Sequence, residues 1–131
     1  MLPVHFYTIP FVEGGRDEKG ADCWGLIVLL YKYFFDVELE KFTGVAATDK
    51  DFNLAVDRIN KEIEEHKNFY EVTEPQFGDI ILLRVHGRPI HVGFCLDKST
   101  MVHTGKGYGV VTEKFTEMRW NNRVLGFYRK K

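Results

Sequence analysis

The sequence predicts an α+β domain, helical in its first half and an antiparallel sheet in its second, on three observations. Apolar residues recur at helical spacing from Cys23 to Phe34. At Phe77 the period changes from 3.6 to 2. From there, short β-branched or aromatic runs alternate with Gly, Asp, Pro and Asn, which is the pattern of a strand meander of about five strands. A chain of 131 residues is near the modal size of one domain, so residues 1–131 are expected to share a single core.

The elements follow in order. Residues 10–21 combine three glycines with a proline and alternating charge, and read as an irregular loop. Asp22 is a good N-cap, and Cys23, Leu26, Ile27, Leu30, Tyr31 and Phe34 form the apolar face of the helix that follows. This places Cys23 in the first helical turn. A second helix is expected from Asp51 to about Lys67, with Phe52, Ala55, Val56, Ile59 and Ile63 as its stripe. The expected strands are Asp79 to Val85, Ile90 to Leu96, Met101 to Thr104, Gly109 to Glu113 and Val124 to Arg129. The first four are separated by turns at His86-Gly87-Arg88-Pro89, Asp97-Lys98-Ser99-Thr100 and Gly105-Lys106-Gly107.

Composition narrows the function classes. The chain is 44% hydrophobic and 28% charged, which excludes disorder and low complexity. Eighteen Lys and Arg against nineteen Asp and Glu leave a net charge of −1, so no electrostatic footprint for nucleic acid is expected. The longest apolar stretch, Leu26 to Leu30, falls far short of the ~20 residues that span a bilayer, and no membrane insertion or export signal is expected. Cys23 and Cys95 are too few for the disulfide framework of a small secreted domain and fit no close-spaced zinc motif, so at least one is free for chemistry.

Cys23, His91 and His103 stand out on this sketch. A thiol in the first turn of a helix meets unpaired N–H groups and the positive dipole end, which favour the nucleophilic thiolate. Packing is the commoner fate of a cysteine, but Gly20 and Gly25 keep the surroundings small enough for a substrate backbone to approach. His91 and His103 share parity and are symmetric about Asp97, in the expected turn. Positions so related lie opposite each other on one face of a hairpin, with Cβ atoms about 4.5–5.5 Å apart. One imidazole can then act as base toward Cys23 while the other orients it.

The remaining candidates read as structural. Cys95 lies four strand positions, about 13 Å, from His91 and is expected in the core. His5, His66 and His86 read as residues of an N-terminal strand, a helix end and a turn. Cys, His and His could also ligate zinc, but no pair has the short spacing of structural zinc sites and no HExxH helix is present, so no metal is expected.

Four ordered blocks carry a resemblance: Asp22-Cys23-Trp24-Gly25-Leu26-Ile27, Gly78-Asp79-Ile80-Ile81, His91-Val92-Gly93-Phe94 and Met101-Val102-His103. With Pro10 to Gly15 upstream and Arg123 to Arg129 at the end, the chain resembles the NlpC-type cell-wall cysteine peptidases, a papain-like family, and within it the phage tail-assembly branch. The resemblance implies a papain-like fold with N-terminal helices packed on the sheet. It further implies Cys23 as nucleophile, His91 as general base and acid, His103 as the residue orienting His91, and no cofactor. The implied substrate is an amide in the stem peptide of bacterial peptidoglycan. Asp22 is expected mainly as N-cap and also to receive the stem peptide's amino group, and Trp24 to wall the groove. Where many cellular members carry a Tyr in the upstream loop and a Ser after the cysteine, this chain has Phe11 and Trp24, as in the phage branch. That branch implies a virion tail protein made in the host cytoplasm, acting at the cell wall with other tail-tip proteins as partners. The rival expectations are a structural tail-tip assembly component of little activity, and an acyltransferase using the same site.

Overall fold

The computed structural model describes residues 2–40, 68–85 and 88–131. A 3-10 helix, Val4–Thr8, leads into a two-strand hairpin, β1 (Arg16–Asp17) and β2 (Gly20–Ala21), and then into helix α1 (Cys23–Phe35). The strands β3 (Phe69–Val72), β4 (Ile80–Val85), β5 (Arg88–Cys95), β6 (Thr100–Gly105), β7 (Gly109–Lys114) and β8 (Val124–Lys130) form one antiparallel sheet in the order β3-β8-β4-β5-β6-β7. A short helix, α2 (Met118–Asn121), precedes β8.

The α+β expectation holds, with four differences. Arg88 and Pro89, expected in a turn, belong to β5, where they pair with Val85 and Arg84 of β4. The sheet has six strands because Phe69–Val72 adds to the edge against β8, burying only Phe69. Four residues with one inward side chain carry too weak a period to read from sequence. The expected loop at 10–21 contains the β1–β2 hairpin, whose turn is tied by Lys19 N–H donating to Asp17. His5 lies in the 3-10 helix, not in a strand, because the Pro3 carbonyl accepts the Phe6 N–H and closes a turn around it. The expected helix at 51–67, His66 and His86 lie outside the described residues.

The sheet is covered on both faces, which is why Ile80-Ile81-Leu82-Leu83 is an unbroken apolar run. Ile80, Leu82, Val92, Phe94 and Val102 pack against Leu26, Ile27, Leu30 and Tyr31 of α1. Ile81, Leu83, Cys95 and Met101 face Phe115 and Trp120 on the other side. Arg129 on β8 donates Nε and Nη2 to the buried Asp79 at 2.9 Å each, tying the last strand to the start of β4.

The start of α1 is fixed by Asp22. Its Oδ1 accepts the Gly25 N–H at 2.9 Å and Arg16 Nη1 at 2.6 Å, while Oδ2 accepts the Gly14 N–H at 3.1 Å. One carboxylate thus caps the helix and folds the preceding loop over its first turn. The loop lies so close that a Cβ at Gly25 would sit 2.1 Å from the Gly15 carbonyl oxygen. Both sides of that contact are backbone and neither can swing away. Gly25→Ala is therefore expected to cost about 3 kcal/mol or more, at the upper end of overpacking effects, read as a lowered urea midpoint. An unchanged midpoint would show that the loop does not hold the helix start in this way.

Candidate active site

Three elements converge on the first turn of α1. The ladder between β5 and β6 pairs Phe94 with Val102 and Cys95 with Met101, and no pair between these strands continues it among the described residues. Beyond that point β5 continues along β4, and β6 along β7. Cys23, half-buried at the start of α1, meets the opening: the backbone N–H groups of Val92, the residue after His91, and of Trp24 act on its thiol and favour the ionised form.

The two imidazoles meet across the same opening. His91 and His103 bond through Nε2 and Nδ1 at 2.8 Å, with ring planes 83° apart. The expected pairing is corrected in one respect: they are not directly opposite. Asp97 accepts the Ser99 and Thr100 N–H groups, Leu96 N–H bonds Thr100 O, and the turn is centred on Lys98. The register therefore moves by two residues, and the histidines are diagonal neighbours. A shift of two preserves parity, so they stay on one face, within reach of each other.

His103 is fully buried and its second nitrogen, Nε2, lies 2.5 Å from Glu113 Oε2 on β7. Trp120 of α2 donates Nε1–H to the same oxygen at 3.1 Å, and Arg119 Nη1 holds Oε1 at 3.1 Å. The Trp120 ring stacks on His91, 5.9 Å between centroids and 15° between planes, and meets His103 edge-on. Both nitrogens of His103 are thus engaged within the chain, leaving neither for a metal. Tyr108, in the β6–β7 turn, contacts the His103 ring at 5.7 Å.

Sequence reasoning missed Glu113 and Trp120. Glu113 has the parity of Val111, which pairs with His103, so an acid at an inward position beside a histidine was the available signal. Nothing in the spacing marks Trp120, which reaches the site through the loop after β7.

The electrostatics differ from expectation. A helix-end thiol is expected to be acidic, yet burial pushes Cys23 up to about 12, and the adjacent Asp22 carboxylate pushes the same way. The Val92 and Trp24 N–H groups and Arg16 lower it by less. Burial pushes His91 down to about 3, with His103 adding to the effect. His103 is also lowered by burial, against the pull of Glu113. The resting site is a neutral thiol beside neutral imidazoles.

The other expected site residues are placed as follows. Trp24 is 1% exposed with Nε1–H on the Glu40 carbonyl, so it packs in the core and walls no groove. Asp22 is buried and acts as the helix cap as expected, with three contacts that fold the loop over it. Cys95 is fully buried, as expected.

An α+β fold with a cysteine at a helix start beside a strand-borne histidine is the arrangement of a papain-like thiol hydrolase. Residues 8–129 match the NlpC/P60 family, and the chain belongs to it. It is similar to the murein DD-endopeptidase MepS/murein LD-carboxypeptidase of Escherichia coli strain K12, 26% identical over 110 residues, covering 84% of this chain and 50% of that protein. A probable endopeptidase of Haemophilus influenzae is 26% identical over 114 residues, covering 86% and 60%. The chain thus spans half to three-fifths of the length of these relatives. The fold is also that of the NlpC/p60 domain of the peptidoglycan hydrolase SagA, with TM-score 0.61, 20% identity, and 97% of this chain and 90% of that one covered. An NLP/P60 lipoprotein-like protein of Staphylococcus aureus gives TM-score 0.64 at 21% identity, covering 95% and 37%.

Two predictions follow from the charges. Asp22→Asn keeps an acceptor for the Gly25 N–H but removes the negative charge beside the thiol. The apparent pKa of Cys23 should fall, and iodoacetamide should label it several-fold faster at pH 8, with buried Cys95 as the unlabelled reference. An equal or slower rate would contradict the assignment of Asp22 as a cause. Secondly, the lowered folded pKa of both histidines means that the unfolded chain binds more protons as pH drops below about 6.5. Stability should therefore fall with decreasing pH in that range, by up to about 1.4 kcal/mol per pH unit for each imidazole. Urea unfolding between pH 6.5 and 5 should show this slope in the wild type and a shallower one in His91→Gln.

Proposed function

We propose that the domain is a cysteine peptidase that cleaves a peptide amide in bacterial peptidoglycan through an acyl-enzyme formed on Cys23. The observation that carries this reading is the 2.8 Å bond between His91 and His103 in the gap of the sheet, with Cys23 opening α1 and its thiol lowered by the N–H of Val92, the residue after His91. The family and the murein endopeptidases that the chain resembles support a peptidoglycan-cleaving hydrolase.

Because the resting thiol is protonated, proton transfer accompanies attack. His91 takes the Cys23 proton as the sulfur bonds to the substrate carbonyl carbon, giving a tetrahedral oxyanion. The first N–H groups of α1 stabilise that charge, although Gly25 N–H is already committed to Asp22. His91 then protonates the departing amine, the C–N bond breaks, and a thioester remains. Water, giving its proton to His91, attacks the thioester, and the proton returns to sulfur as the acid leaves. His103 orients His91 throughout. The bond implied by the resemblance is that from γ-D-glutamyl to a diamino acid.

The finer assignment, a virion tail component made in the host cytoplasm and working with other tail-tip proteins, rests on Phe11 and Trp24 alone. A second reading, an assembly component of little activity, is favoured by Phe11 and by the raised thiol. Phenylalanine donates no hydrogen bond, and one missing oxyanion donor is worth about 10²–10³ in rate.

Incubation with purified peptidoglycan, followed by mass spectrometry, tests the reading. New amine and carboxyl termini are expected, with a loss of more than about 10³-fold in Cys23→Ala and in His91→Ala. A transfer product in place of the free acid would identify an acyltransferase, and no product at all would favour the assembly reading.

A further inference from the structure

We propose that Glu113 is a positioning residue that fixes the tautomers of both imidazoles and so directs the free lone pair of His91 to the thiol. The inference rests on the Cys23–His91–His103 reading above.

The hydrogen-bond chain has a direction. Trp120 Nε1 can only donate, and it donates to Glu113 Oε2, which Arg119 flanks through Oε1; Glu113 therefore acts as a carboxylate acceptor. An accepting Oε2 at 2.5 Å requires the proton of His103 on Nε2. In a neutral ring His103 Nδ1 is then a bare acceptor, and the 2.8 Å contact must be filled by a proton on His91 Nε2. A neutral His91 protonated at Nε2 leaves Nδ1 as its one unprotonated nitrogen, ready for the proton of Cys23. Reversing the first link would reverse all of them and put a proton where the base must be empty.

The surroundings hold this chain in place. His103 is fully buried, so no water competes for Nε2, and Trp120 stacks on the His91 ring and meets the His103 ring edge-on. Arg119 and Arg123 lie over the Trp120 ring at 5.5 and 5.4 Å. Among the described residues, the charged or titratable groups facing the pair are Glu113 from β7, Arg119 from α2 and Tyr108 from the β6–β7 turn. Glu113 is the single anion among them in contact with an imidazole.

Glu113→Gln separates this role from simple packing. The side chain keeps its size but has one acceptor and one amide donor: turning the oxygen to His103 sets the amide against Arg119, and the other orientation reverses the tautomers. Histidine 15N shifts at pH 7 should show His91 unprotonated at Nδ1 in the wild type and a mixture of tautomers in Glu113→Gln. Iodoacetamide labelling of Cys23, which needs no peptidoglycan, should slow by about tenfold, and kcat should fall with KM little changed. A folded Glu113→Gln with unchanged tautomers, or with unchanged labelling, would overturn the proposal. If the variant does not fold, the wild-type spectrum decides alone: a proton on His91 Nδ1 overturns the proposal, and a bare Nδ1 supports it. Intact peptidoglycan from a wild type with these tautomers would refute the substrate assignment and leave Glu113 in its role.

Discussion

The site depends on the early end of the ladder between β5 and β6. Two strands that pair at Phe94–Val102 and Cys95–Met101 and then part leave a notch in an otherwise continuous sheet. In a full ladder the Val92 N–H would be a candidate partner for β6; here it acts on the Cys23 thiol and lowers its pKa. The strands are bridged instead by the imidazoles of His91 and His103. The notch therefore supplies the space in which the imidazoles meet and a backbone N–H that favours the ionised thiol. Its walls are rigid because β4 holds β5 from one side and β7 holds β6 from the other. A site of this kind is preorganised by the scaffold and not by its own loops.

The charge state follows from how completely the notch is enclosed. A helix N-terminus stabilises a negative group by about 0.3–1 kcal/mol, up to ~2 kcal/mol where partly buried. A thiol raised from 9.0 to about 12 corresponds to roughly 4 kcal/mol in favour of the protonated form, so burial and Asp22 together outweigh the helix end. The same enclosure lowers both histidines. In the proposed reaction the sulfur cannot wait as a thiolate; it loses its proton only as bonding to the carbonyl begins. The direction of the imidazole chain then matters more than the standing acidity of the thiol, and that direction starts at Glu113.

Much of this was legible in the sequence because it depends on local chemistry. Asp22 caps the helix as its residue type and position require, the β4 to β8 strands follow the short β-branched or aromatic runs between turn residues, and the shared parity of His91 and His103 places them on one face. What was not legible depends on tertiary contacts. The Asp97 side chain captured two N–H groups and moved the turn centre by one residue, a choice that symmetry about the turn does not encode. Trp24 looked available to a substrate because it neighbours the cysteine, but its rotation about α1 carries it to the core and the Glu40 carbonyl. Glu113 near a strand end reads as a solvated charge until Trp120 and Arg119, from a separate element, close over it.

Asp22 shows how the structural and chemical demands on the site conflict. The carboxylate that begins α1, and so places the sulfur, is also the second cause of its reluctance to ionise. Arg16, bonded to it at 2.6 Å, lowers the thiol in turn. Removing the acid would free the thiol but take from the buried Arg16 guanidinium its carboxylate, leaving it the Gly15 carbonyl, at a cost in stability. The fold keeps the cap and the ion pair, and accepts a protonated nucleophile. A protonated nucleophile needs an unprotonated nitrogen facing it, and with both imidazoles neutral the one arrangement of protons consistent with a carboxylate on His103 Nε2 provides that nitrogen on His91.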